Sequence, residues 1–211
     1  MRSFSLSLLV LLAACADAPE TADAPGTAAD TTAVPAASGS DRAVARIAEV
    51  DGSGVTGAVE FVDLGDAVEV RYNLSGLAAG VHGFHVHQTG DCGADSSGTP
   101  AGAAGGHFNP LASEHGAPDA ARTQRHAGDL GNIEADASGR AIGVRVDSVL
   151  SFRGPTSILR KAMLVHGGED DLTSQPSGDA GPRVGCGVIE QASSGGALPD
   201  SLAVPVGSVE P

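Results

Sequence analysis

Six of the seven histidines fall into four short segments whose residue types suit metal ligation. The segments are Gly83-Phe84-His85-Val86-His87, Gly106-His107-Phe108-Asn109-Pro110, Glu114-His115 with His126-Ala127-Gly128-Asp129, and Leu164-Val165-His166. Neutral imidazole is a good nitrogen donor near neutral pH. Imidazoles in this number, with a carboxylate, provide for one borderline and one harder divalent ion. His85 and His87 are separated by one residue on an expected strand, so both project to one face and can chelate one ion. With His107 and His166 they offer a four-nitrogen set that suits copper in a tetragonal arrangement. His115, His126 and Asp129 need a third histidine to complete a four-coordinate zinc set, and His107 lies in the same loop. One imidazole can ligate through both ring nitrogens, but spacing alone leaves open whether His107 does so. His82 stands outside both sets and reads as a structural histidine making a loop-stabilising hydrogen bond. A histidine-rich metal buffer is the competing reading of spacing alone. Such tracts are local and repetitive, whereas these ligands are dispersed.

The elements that must position these residues read as strands. Ala43–Val50, Ala58–Val62 and Ala67–Leu74 alternate apolar and polar residues, the period-two pattern of a strand with one buried face. Asp51-Gly52-Ser53-Gly54 supplies turn chemistry between the first two. Further strands are expected at Gly80–His87, Gly131–Ala135, Ala141–Asp147, Ala162–His166 and Gly187–Ile189. No long helical period is visible. Short strands separated by turn signals indicate an all-β antiparallel sandwich or barrel. Two long loops, Thr89–Gly128 and Gly167–Gly185, interrupt the pattern, and loops of that length in a compact domain are usually functional. With only 3% aromatic residues, the core must be built from Val, Ile, Leu and Ala.

The first 14 residues read as an export signal, with Arg2 as the positive region and Phe4–Ala14 as an apolar run too short to span a bilayer. The run ends in Leu12-Ala13-Ala14-Cys15, which looks like a bacterial lipoprotein signal, with Cys15 the lipidated first mature residue. An ordinary secretory signal cleaved near residues 16–18 is the alternative. Residues 15–41 are rich in Ala, Thr, Asp, Pro and Gly, and read as a disordered tether. Residues 42–191 are the expected folded domain, and 192–211 a disordered tail. If Cys15 is lipidated, Cys92 and Cys186 remain as a pair in an oxidising compartment. Two reduced thiols are the alternative. A net charge of −14 makes nucleic acid an unsuitable partner, because phosphate backbones need clustered Lys and Arg.

Gly83-Phe84-His85-Val86-His87, Gly106-His107-Phe108-Asn109-Pro110, Arg125-His126-Ala127-Gly128-Asp129-Leu130-Gly131-Asn132 and Gly185-Cys186-Gly187-Val188-Ile189 resemble the signature segments of the copper/zinc superoxide dismutases. They follow the family's order over about residues 43–189. The resemblance implies a Greek-key β-sandwich, or flattened eight-stranded barrel. It implies one copper ion per subunit on His85, His87, His107 and His166, and one zinc ion on His107, His115, His126 and Asp129. His107 would then be a bridging imidazolate. Asp170 matches the carboxylate that hydrogen-bonds ligands of both metals, Cys92–Cys186 the intrasubunit disulfide, and Arg183 the arginine at the mouth of the copper channel. The implied reaction is dismutation of superoxide anion to oxygen and hydrogen peroxide by a copper redox cycle, with His107 and Arg183 as catalytic residues. The sequence looks like the exported bacterial branch, a periplasmic, membrane-anchored lipoprotein occurring as a monomer or homodimer. A copper-binding or copper-delivery protein on the same fold, without turnover, is the other reading. Such a protein would not need Asp170, Arg183 or a complete zinc set.

This sequence departs from the family pattern in two places. Residues 170–183 contain no lysine, so steering of an anion is expected to rest mostly on Arg183. The link between His115 and His126 is Ala-rich and slightly long, which bears on zinc affinity.

Overall fold

A computed structural model describes residues 41–192; the leader, Cys15, the tether as far as residue 40 and the tail beyond residue 192 lie outside the described residues. The strands are β1 (Arg42–Glu49), β2 (Thr56–Asp63), β3 (Val68–Ser75), β4 (Gly80–His87), β5 (Asp129–Ala135), β6 (Ala141–Asp147), β7 (Ala162–His166) and β8 (Arg183–Gln191). All of the strand pairings are antiparallel, in the order β5-β4-β7-β8-β1-β2-β3-β6. β1 to β3 form a meander, β4 and β5 cross to the opposite side, and β6 returns to lie beside β3. That return is the Greek-key step that the family resemblance implies, and the result is a nearly closed eight-stranded barrel. The open seam lies between the end strands β5 and β6, where Arg145 Nη2 of β6 donates to the Asn132 carbonyl of β5 at 2.8 Å.

The alternation read from sequence puts Ala43, Ala45 and Ile47 of β1, and Val68, Val70 and Leu74 of β3, into the core. Phe61, Phe84, Leu130, Ile158, Met163 and Ile189 fill the interior with little or no exposure. A core of this kind is sensitive to loss of volume; Phe84→Ala would cost about 3–5 kcal/mol.

Several strand boundaries differ from the sequence reading, and two of them bear on the site. β5 begins at Asp129 rather than Gly131, so this carboxylate sits at the root of a strand instead of in the preceding loop. β8 begins at Arg183, so the second long loop ends at residue 182, and Arg183 and Cys186 both belong to the sheet. The Asp-Leu-Gly turn signal hid the first start, and the Pro182/Gly185 context hid the second. Cys92 and Cys186 are disulfide-bonded with Cα atoms 5.8 Å apart, which fastens the loop between β4 and β5 to β8.

Candidate metal centre

β4 and β7 are paired antiparallel, with His85 opposite Leu164 and His87 opposite Ala162. From these two strands the rings of His85, His87 and His166 converge, with centroids 5.0–6.5 Å apart, and all three are buried. His107 reaches them from the loop through an isolated bridge to His87. A close approach at Gly128 makes that bridge possible. A Cβ at Gly128 would lie 2.1 Å from the Val86 carbonyl, so only glycine lets the loop lie against β4 here.

The donor atoms of His85, His87, His107 and His166 lie within 4.8 Å of one another, as do those of His107, His115, His126 and Asp129. The free nitrogens test whether these sets suit metals. His87 and His166 each direct Nδ1 to a backbone carbonyl, Gly105 at 2.8 Å and Gly181 at 3.2 Å. Their Nε2 atoms then face each other at 3.4 Å. With Nδ1 donating, two lone pairs converge, an arrangement that a cation satisfies. His85 Nδ1 and His107 Nε2 are buried with no hydrogen-bond partner. Leaving such atoms unpaired is costly, and each belongs to one of the two sets. The second set is gathered by Asp129, whose Oδ1 lies 2.7 Å from His107 Nδ1 and 3.1 Å from both His115 Nδ1 and His126 Nδ1. Four nitrogens suit copper, and three nitrogens with a carboxylate suit zinc, so the residues fit both ions.

Asp170 spans the two sets. Its Oδ2 accepts from His85 Nε2 at 2.7 Å and its Oδ1 from His115 Nε2 at 2.9 Å. Asp170 is fully buried and is itself held by Asn132, whose Oδ1 accepts from the Asp170 N–H and whose Nδ2 donates to the Asp170 carbonyl, both at 2.8 Å. Gly178, at φ +68°, lets the second loop lie over this contact; a Cβ there would fall 1.7 Å from Asp170 Oδ1.

The electrostatics divide the centre. Burial lowers His166 to about 3 and His107 to about 4, and it pushes His87 well down, helped by His107 and His166. Burial also pulls His115 down, but Asp129 and Asp170 overcome it and carry the imidazole up to about 9. Burial alone would raise both carboxyls. Hydrogen bonds from His107, His115 and His126 instead hold Asp129 far below the usual carboxylate range, and those from His115 and His85 do the same for Asp170.

Arg183 stands at the edge of a cavity of about 540 Å³ lined by His87, His107, His126 and His166. Its Nη1 and Nη2 donate to the Ala101 and Gly105 carbonyls, each at 2.5 Å. It is thus a loop-bonding arginine that also presents positive charge to the cavity. His82 lies apart, its ring nitrogens 2.9 Å from the Ala78 and His166 carbonyls, in the structural role expected of it.

Several supporting residues escaped the sequence reading. Asn132 closes the Arg125–Asn132 segment, and nothing in the sequence points to its two bonds with the Asp170 backbone. Gln175 clamps His115, accepting from its N–H and donating to its carbonyl at 2.9 Å each. Arg125 is only 1% exposed; it pairs with Asp147 and donates to the carbonyls of His126, Ala127 and Asp129. Its place beside His126 was the only available signal.

A family model described as copper/zinc superoxide dismutase (SODC) matches residues 55–189. The chain is 42% identical over 139 residues to the extracellular superoxide dismutase [Cu-Zn] of Caenorhabditis elegans, an alignment covering 63% of this chain and 60% of that protein. It is 41% identical over 139 residues to the protein of the same name from Haemonchus contortus, covering 63% of this chain and 72% of that one. The crystal structure of the clock protein EA4 matches with a TM-score of 0.63 at 35% identity, covering 72% of this chain and 94% of that chain. With the family model matching well over half of its residues, the chain belongs to the copper/zinc superoxide dismutase family.

Proposed function

We propose that the protein dismutes superoxide to oxygen and hydrogen peroxide, with copper held by His85, His87, His107 and His166, and zinc by His107, His115, His126 and Asp129. One observation carries this reading. A single imidazole, His107, is a member of both donor sets, with Nδ1 2.7 Å from Asp129 Oδ1 and Nε2 buried without a hydrogen-bond partner, while Asp170 ties a second member of each set together. A protein that only stored or passed on copper would have no use for that linkage. The names of the two nematode relatives support the activity.

When bound, copper supplies one-electron exchange with successive superoxide anions and zinc supplies a fixed positive charge. His107 Nε2, buried without a hydrogen-bond partner, is the atom on which the chain would hold a proton bound for the reduced substrate. Asp170 fixes the tautomers of His85 and His115 by accepting from their Nε2 atoms. Arg183 places a permanent cation at the cavity, where it attracts and orients a small anion. Two superoxide anions and two protons give one oxygen and one hydrogen peroxide, which balances. Protein loaded with measured copper and zinc should show catalytic superoxide decay by pulse radiolysis. Full loading without catalysis would leave the copper-delivery reading in its place.

We also propose export, which the word extracellular in both relatives' names supports. Lipidation of Cys15 at a periplasmic membrane surface rests on the leader motif alone. Labelling with a radioactive fatty acid, lost in Cys15→Ser, is the expected result.

A further inference from the structure

Two cavities meet at Arg183. The inner one holds the metal-set histidines, and among the residues that line it Arg183 alone carries a full charge. The outer one, about 500 Å³, is lined by Asp51, Asp95, Thr99, Gly105, Pro182 and Arg183 among others. Gly106, Gly181 and Arg183 line both, so the two cavities adjoin. The charged residues lining the second are two carboxylates and one guanidinium, a net charge of −1. The sign of the lining charge therefore changes at Arg183.

The arrangement is built. Asp95 Oδ1 accepts from the Ser97 N–H and the Thr99 N–H, both at 2.9 Å, and from Ser97 Oγ at 2.7 Å, which fixes the carboxylate. Gly102 makes room for it, since a Cβ there would lie 2.6 Å from Asp95 Oδ2. Arg183 donates to the carbonyls at either end of the same short segment, Ala101 and Gly105. The disulfide from Cys92 fastens this loop to the strand that carries Arg183. The Asp95 charge acts on Arg183, opposing the effect of burial on its proton affinity.

We propose that Asp95, assisted by Asp51, is a rate-limiting counter-charge at the copper mouth, which slows capture of small anions by opposing the field of Arg183. This rests on the reading that the substrate is a small anion. Fixed charges several ångströms from an entering ion change its local concentration a few-fold at low salt, and screening erases the effect over roughly a Debye length.

The test compares Asp95→Asn with Asp136→Asn in copper- and zinc-loaded protein. Asparagine keeps the accepting Oδ1, so the turn at Ser97 and Thr99 survives. Asp136 is a matched control: it accepts from the Ser138 N–H, Ser138 Oγ and the Arg140 N–H, and it sits in the turn between β5 and β6. Both variants remove one negative charge. The first readout is the dissociation constant of azide, followed by the copper absorption spectrum; the second is the dismutation rate. In Asp95→Asn at low ionic strength, azide should bind about two- to five-fold more tightly and the rate should rise by a similar factor. Both differences should vanish near 0.5 M salt. Asp136→Asn should match the parent throughout. Unchanged azide binding in Asp95→Asn, or an equal gain in Asp136→Asn, overturns the proposal. Tighter azide binding in a protein without dismutation would uphold the counter-charge and overturn the proposed reaction instead.

Discussion

The two halves of the centre are built by different means. On the side proposed to hold copper, His85, His87 and His166 project from β4 and β7, and the sheet ladder fixes their spacing. On the side proposed to hold zinc, His107, His115 and His126 come from one long loop, and only Asp129 stands on a strand. The loop is held instead by buried polar groups: Arg125 on its carbonyls, Gln175 on His115, and Asp129 and Asp170 on the imidazoles. Apolar packing and backbone pairing place the first set, whereas charge places the second. The zinc side should therefore be the half that responds to pH and to removal of polar support.

The residue common to both halves gives the largest expected effect. His107→Ala should lower dismutation by ~10²–10⁴-fold, the range for losing a positioned acid–base group, and should weaken both metals. A variant that lost copper alone would show that the halves are separate. Next is Arg125→Met, which strands the buried Asp147 carboxylate and frees the loop carbonyls. Removing one partner of a buried pair costs about 3–5 kcal/mol, to be read by denaturant titration. Zinc should dissociate faster in this variant while the copper spectrum holds. Asp170→Asn comes third, with zinc affinity falling about 10–100-fold, as is usual for a group that orients a ligand. Copper affinity should fall less, because His85 keeps its place in β4; equal losses would erase the distinction.

The smallest effect is a proton count. In metal-free protein His115 is raised to about 9, so it is protonated at neutral pH and zinc must displace that proton. His166 at about 3 and His107 at about 4 are already neutral there. Calorimetry in buffers of different ionisation enthalpy should find about one proton released from this group per zinc near pH 7. Apparent zinc affinity should fall as pH drops below about 9, while this source of copper loss begins only near pH 4. Pre-binding zinc without proton release would contradict the charge-held description of the loop.

How much of this could be read from sequence follows the same division. His85-Val86-His87 declares its geometry, because a strand puts alternate residues on one face wherever it lies. β1 and β3 of the meander declared themselves by alternation in the same way, whereas Ala58–Val62 of β2, read as a strand with one buried face, is buried throughout. Asn132, Gln175 and Arg125 could not, since their roles depend on which loop carbonyls come within hydrogen-bond reach of them in the folded chain. The same holds for Gly178, whose necessity comes from Asp170 lying beneath it. Arg183 was legible as a cation near the first set, but not its start of β8 or the carboxylates that line the adjoining cavity with it. The turn residues around Asp129 masked a strand that begins one residue after Gly128.

The central claim is that His107 joins the halves into one unit. Copper electron paramagnetic resonance, recorded on protein holding copper alone and then after zinc is added, tests it most directly. The account predicts that zinc changes the copper hyperfine pattern, and that Asp129→Ala, which removes the zinc-side carboxylate on His107, abolishes the change. A copper spectrum indifferent to zinc, in protein shown by metal analysis to hold both ions, would contradict it.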